Sequence, residues 1–209
     1  MLIPAINADT FEEVQKKIKL IEPYVSWAHL DIADGTFTKN TLWHNAVDLM
    51  RIETSLNLEV HLMINNPERR IDEWILPSVK KIIFHLSASE DPDLVINRFK
   101  ECGKEVGISI SLDESVAKAL AYQNKVNFFQ ILGVRPGLPR QKMDENTLGR
   151  IKEVRKFCPS CIIEVDGGIN KETISSTISA GANIIVSASA IFDAGKNIKE
   201  AIKELKNAI

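Results

Sequence analysis

The sequence predicts an α/β protein, a single (β/α)₈ barrel, on three observations. Short β-rich runs alternate with amphipathic helical segments, and the alternation repeats eight times in 209 residues, about 26 residues per unit. Strands separated by helices of this length pair in parallel through right-handed crossovers. The rival architecture, an open doubly wound sheet, carries a glycine-rich phosphate loop after its first strand. Here "IPAINADT" stands in that place without a glycine. No linker or composition break interrupts the pattern, so residues 1–209 are expected to form one domain, shorter than the ~250 residues typical of such barrels.

In chain order the strands are "LIPAI", "WAHLDIAD", "LEVHLMI", "KIIFHLSA", "EVGISISL", "FFQILGV", "IIEVDGGI" and "NIIVSASA". Helical patterns between them include "TFEEVQKKIKLIEP", "DPDLVINRFKECG", "DESVAKALAYQ" and "ENTLGRIKEVRKF", and "NIKEAIKELKNAI" closes the chain. Pro23, Pro92, Gly103 and Gly181 punctuate the joins. "NNPERR", Asn65 to Arg70, reads as a capped helix start with proline in its first turn.

The composition, 44% hydrophobic and 26% charged, is that of a soluble globular protein. A net charge of −2 gives no reason to expect nucleic acid or an anionic membrane as partner, so an anionic substrate would need a local site. The amino-terminal stretch lacks the pattern of a signal peptide, and no run approaches the ~18 apolar residues of a membrane span. Cys102, Cys158 and Cys161 do not make a secreted disulfide framework. Cys158 and Cys161 form a C-x-x-C with no second pair or nearby histidine, and incidental packing is expected of them. A reducing cytoplasm is the expected setting.

Chemistry in such a barrel sits at the carboxyl ends of the strands. The second strand, within "SWAHLDIADG", puts Ala28, Leu30 and Ile32 on one face and Trp27, His29, Asp31 and Ala33 on the other. The third puts Glu59, His61 and Met63 together, and the seventh Glu164 and Asp166, the latter before a glycine pair. Singly, each has an ordinary explanation: a strand histidine is a hydrogen-bonded core residue, a terminal aspartate a cap or turn residue. Together, His29, Asp31, His61 and Asp166 should face one lumen. Imidazole with carboxylate suits Zn²⁺, Mn²⁺, Fe²⁺ or Co²⁺, and spacing across strands does not choose among them.

"HLDIADGTF", "EVHLM", "VRPG…Q", "EVDGGI" and "GANIIVSASAIF" occur in the order seen in ribulose-phosphate 3-epimerases, which the chain resembles from "IPAI" to "AIF". The resemblance implies a barrel of the ribulose-phosphate-binding type, a place in the pentose phosphate pathway of carbohydrate metabolism, and a homo-oligomer. It implies that His29, Asp31, His61 and Asp166 bind one divalent metal ion, which would stabilise a cis-enediolate as a Lewis acid. Asp31 and Asp166 would be the catalytic pair, one removing the C3 proton and the other returning a proton from the opposite face. It further implies substrate contacts from Met63, Gly137, Arg140, Gly167, Gly168, Ala188 and Ser189.

Departures from the family pattern cluster at the same mouth. Its early serine is Ala5, two of its three pocket methionines are Ala33 and Leu132, and the glutamate of its "HxE" is Ser87, with His85 kept. Its "NPGFGGQ" reads "RPGLPRQ", where Pro139 removes an N–H donor and Arg140 offers a charged one. Solvated loop charges are the other reading of Arg135 and Arg140. His85 reads as core or as support for a ligand, and His44 as a surface residue.

The reaction expected is inversion at C3 of a phosphorylated 2-keto sugar, D-ribulose 5-phosphate to D-xylulose 5-phosphate. A related substrate such as allulose 6-phosphate and a catalytically lapsed sugar-phosphate-binding barrel are the alternatives. A lyase of the D-x-K-x-x-D type is disfavoured, because no lysine lies between Asp31 and Asp34.

Overall fold

Aliphatic side chains face outward from every strand, and burying them draws the intervening segments onto the outside of a closed sheet. The computed structural model describes residues 1–137 and 140–209. The described residues form eight strands: β1 (Leu2–Ile6), β2 (Trp27–Ala33), β3 (Asn57–Met63), β4 (Val79–His85), β5 (Glu105–Ile110), β6 (Phe128–Leu132), β7 (Ile162–Asp166) and β8 (Ile184–Ser187). Each pairs in parallel with the next, and β8 returns to β1 to close the barrel. The barrel expected from the sequence is therefore the one observed. Ala28, Leu30 and Ile32 of β2, Leu58, Val60 and Leu62 of β3, and Ile163 and Val165 of β7 belong to the core between strands and outer shell. A smaller apolar group, Ile3, Ala5, Ile184 and Val186, fills the lumen beside β1 and β8.

The shell consists of α1 (Phe11–Ile21), α2 (Pro92–Glu101), α3 (Val116–Leu120), α4 (Thr147–Phe157), α5 (Ile174–Ala180), the short α6 (Ser189–Phe192) and α7 (Ile198–Asn207). Thr10 caps α1 by accepting from the Glu13 N–H at 3.3 Å, and Val14, Ile18 and Ile21 form its buried stripe. Asp91 caps α2 through the Leu94 N–H in the same way. Between β2 and β3, and between β3 and β4, the shell is built of 3₁₀ turns at Ala46–Arg51, Pro67–Arg69 and Ile71–Trp74. The "NNPERR" segment thus makes a 3₁₀ turn, and Asn66, in a left-handed conformation (φ 52°), supplies no side-chain cap.

Cys158 and Cys161 correct the reading of incidental packing, because the structure joins them in a disulfide. Cys158 ends α4, and the Cys161 N–H bonds back to the Cys158 carbonyl at 3.2 Å. That turn over Pro159 and Ser160 brings the two Cα atoms to 5.4 Å, within disulfide reach. Among the described residues no helix is long and apolar enough to cross a membrane.

Candidate active site

The β2–β3 register sets His29 beside Glu59, Asp31 beside His61 and Ala33 beside Met63. Because alternate residues share a face, one register places a polar column on the lumen side and an aliphatic column on the shell side. Asp166, at the end of β7, reaches the same centre. His29 Nε2 lies 3.3 Å from Asp31 Oδ1 and 3.9 Å from Asp166 Oδ2. His61 Nδ1 lies 3.1 Å and 4.0 Å from the same two oxygens. One ligand atom from each of the four lies within 4.8 Å of all the others. Donors about 2.1 Å from a tetrahedral ion stand about 3.4 Å apart, so this spacing fits a common centre.

Neighbours orient these donors. His29 Nδ1–H donates to Glu59 Oε1 at 2.7 Å, turning Nε2 toward the centre. His61 Nε2 faces His85 Nε2 at 2.9 Å, which turns Nδ1 toward it. Asn7, just beyond β1, donates to Asp31 Oδ2 at 2.7 Å and leaves Oδ1 facing the histidines. Below lies a polar floor, where Gln130 accepts from Ser109 at 2.7 Å and donates to Glu164 at 3.1 Å. Lys81 stands 3.5 Å from Glu59 Oε2 and against the Trp27 and Phe128 rings. Sequence pattern had assigned no role to Asn7, Glu59 or Gln130. Their signal was position, on lumen-facing or strand-end sites, but one strand does not reveal what stands across the barrel.

Burial would raise the Asp31 carboxyl, but hydrogen bonds from His29 and His61 hold it well below the usual carboxylate range. Burial and the Asp31 charge push Asp166 up to about 7. Burial would lower His29, yet Asp31 and Glu59 hold it well above its ordinary value. Burial lowers His61, and burial with the neighbouring His61 lowers His85 further. Burial and the Glu59 charge keep Glu164 protonated well above its ordinary range.

Above this centre opens a cavity of about 590 Å³ whose wall includes Met63, Gly137, Arg140, Gly167, Gly168, Ala188 and Ser189. All seven residues expected to contact substrate therefore meet at one mouth. Gly167 and Gly168 have φ of 99° and 70°, and a Cβ on Gly168 would come within 2.3 Å of the Met143 backbone. Only glycine fits there. Ala5 and Leu132, two departures from the epimerase pattern, line the cavity, whereas Ala33 is buried beyond its lining. Ser87 is exposed, its N–H bonded to Glu114 at 3.1 Å. Arg140 Nε donates to Asp193 Oδ2 at 2.9 Å across the mouth, and Arg135 pairs with Asp113 at 3.5 Å. The substitution at Pro139 lies outside the described residues. His44 is half-buried, its Nδ1 bonded to the Leu42 carbonyl.

Residues 1–192 match the Ribulose-phosphate 3 epimerase family. The chain belongs to that family. It is an isomerase-class enzyme, an epimerase of sugar phosphates. The ribulose-phosphate 3-epimerase of Schizosaccharomyces pombe is 30% identical over 213 residues, covering 100% of this chain and 93% of that one. That of Bacillus subtilis is 31% identical, covering 98% and 97%. A chloroplastic ribulose-5-phosphate-3-epimerase of Arabidopsis thaliana is 32% identical, covering 97% and 75%. Among solved structures, the 3-hexulose-6-phosphate synthase of Salmonella typhimurium superposes with a TM-score of 0.75 at 12% identity, covering 99% of this chain and 97% of that one. At that identity the likeness establishes the barrel alone. Within the family's fold, the buried histidine–aspartate cluster is a set that could hold a metal.

Proposed function

We propose that this epimerase inverts C3 of D-ribulose 5-phosphate to give D-xylulose 5-phosphate, with one divalent ion of the Zn²⁺, Fe²⁺, Mn²⁺ or Co²⁺ type. The observation that carries the metal is the convergence of His29 Nε2, His61 Nδ1, Asp31 Oδ1 and Asp166 Oδ2, each histidine held from behind through its other nitrogen. Two imidazoles with two carboxylates make a donor set for a borderline transition ion. Such an ion supplies Lewis acidity toward the oxygens that gain charge when C3 loses its proton.

The remaining steps fall to the chain. Asp31 and Asp166 approach the centre from β2 and β7, and before any ion binds their proton affinities are already pushed apart, Asp31 downward and Asp166 up to about 7. A pair in those states provides a base and an acid at the same pH. Asp31 removes the C3 proton, and Asp166 returns one to the other face. The two titrate as a unit, since each charge sets the other's affinity. Met63 packs beneath the sugar. Gly167, Gly168, Ala188 and Ser189 present backbone to the phosphate, with Gly137 and Arg140 closing the far side.

A related substrate such as allulose 6-phosphate is the second reading. Ala5 and Leu132 favour it, because they reshape the cavity wall where the family pattern has serine and methionine. Elemental analysis of the purified protein, with a coupled epimerase assay on both sugars, tests the proposal. About one divalent ion per chain, released by His61→Ala, and turnover of ribulose 5-phosphate are expected. A protein that takes up none of the four ions overturns the metal. Turnover of neither sugar overturns the reaction.

A further inference from the structure

His85 lies outside the four-residue cluster but is fully buried against it. Its Nε2 stands 2.9 Å from His61 Nε2 and its Nδ1 3.0 Å from Ser111 Oγ. Phe37 covers the ring, with centroids 4.5 Å apart and planes at 32°. Two imidazole nitrogens at 2.9 Å form a hydrogen bond only when one carries the proton and the other offers a lone pair. A neutral histidine has one ring proton, so settling one nitrogen settles the other. Ser111 does not choose the direction, because a hydroxyl both donates and accepts.

The choice is made at His61 Nδ1, which stands 3.1 Å from Asp31 Oδ1, where an N–H donates in the metal-free site, and which must instead present a lone pair once a cation is bound. The His61 proton then resides on Nε2. We propose that His85 is a positioning residue that holds His61 in this tautomer. His61 Nε2–H donates to His85 Nε2, and His85 Nδ1–H donates to Ser111 Oγ. The proposal rests on the metal reading above. It also separates the two histidines, since His29 is backed by the Glu59 carboxylate and His61 by a neutral ring. An apolar side chain at 85 would leave a buried N–H unpaired and the imidazole free to turn.

Protein labelled with ¹⁵N in its histidines and reconstituted with Zn²⁺ provides the direct test. Ring-nitrogen shifts should show His61 protonated at Nε2 and His85 at Nδ1, a signature that packing alone would not set. Zinc affinity, measured by competition with a chromophoric chelator, should fall about 10–100-fold in His85→Leu. In His85→Gln, whose carboxamide oxygen restores an acceptor, it should stay within a few-fold of wild type. Ser111→Ala should lie between them. A His85 protonated at Nε2 in the zinc form, or His85→Leu with wild-type affinity, overturns the proposal. Should His85→Leu fail to fold, the spectrum of the wild type still decides it. A wild-type protein that binds no zinc, iron, manganese or cobalt fails one step earlier, at the metal reading.

Discussion

Asp31 and Asp166 carry the same side chain and are driven in opposite directions by their neighbours. Asp31 receives two imidazoles and the Asn7 amide, while Asp166 meets burial and the charge of Asp31. The difference is measurable in metal-stripped protein. An unfolded aspartate titrates near 3.9, so between about pH 4 and 7 folded Asp166 keeps a proton that the unfolded chain has released. The Asp166 contribution to wild-type stability therefore falls as pH rises through that window. Asp166→Asn cannot ionise and escapes that cost. After chelation it should be more stable than wild type by roughly 1–4 kcal/mol at pH 8, with the gap closing toward pH 4. Denaturant unfolding at the two pH values checks this, and a gap independent of pH would show that Asp166 titrates normally. The same variant, metal-loaded, should lose at least ~10² in turnover, because the amide cannot carry the proton.

At the scale of the element, the segments after β6 and β8 meet over the cavity through Arg140 and Asp193. Arg140 has a left-handed backbone (φ 60°), and its side chain is 72% exposed, so the pair adds little to stability. Its charge lies at the mouth of the proposed phosphate cup. Arg140→Ala should leave the melting temperature unchanged. It should raise KM for the phosphorylated sugar about tenfold with kcat nearly unaltered, as for lost uniform binding. Added salt should weaken wild-type binding more than the variant's. Asp193→Ala, which frees the guanidinium, should not raise KM. An unmoved KM in Arg140→Ala would mark the residue as a solvated loop charge. The strand order could be read from the alternation of runs, but the Arg140–Asp193 contact joins residues 53 apart and no local pattern announces it.

Over the whole molecule, the aliphatic shell and the polar lumen divide the work. The core between strands and helices buries the large side chains, among them Trp74, Phe84, Phe99 and Phe129. Inside, Glu59, Lys81, Gln130 and Glu164 are buried as a network, in which Lys81 stands 3.5 Å from Glu59 Oε2 and the protonated Glu164 hydrogen-bonds with Glu59. Such interiors are costly when incompletely satisfied, so an ion bound at the upper centre should be felt globally. At a free concentration 100 times its dissociation constant, a bound ion adds ~2.7 kcal/mol, which for a chain of this size raises the melting temperature by roughly 5–11 °C. Calorimetry with and without Zn²⁺ should show that rise in wild type and none in His61→Ala. An equal rise in the variant would place the ion elsewhere.

The sequence alone determined the barrel, because alternation of period two with amphipathic helices is a local property that fixes parallel pairing and strand count. It also marked His29, Asp31, His61 and Asp166, whose strand-end positions and residue types were visible without neighbours. Their partners were decided only by closure of the barrel. Glu59 behind His29, Asn7 on Asp31, and His85 with Ser111 behind His61 are all contacts between different strands or the loops that follow them. Closure likewise decided the proton states, since the opposite shifts of Asp31 and Asp166 arise from burial and from charges brought across the lumen. The Cys158–Cys161 bond and the 3₁₀ crossovers also escaped the pattern. The first needs the local turn that the Cys161 N–H makes to the Cys158 carbonyl, and the second depends on packing against a sheet that exists only once closed.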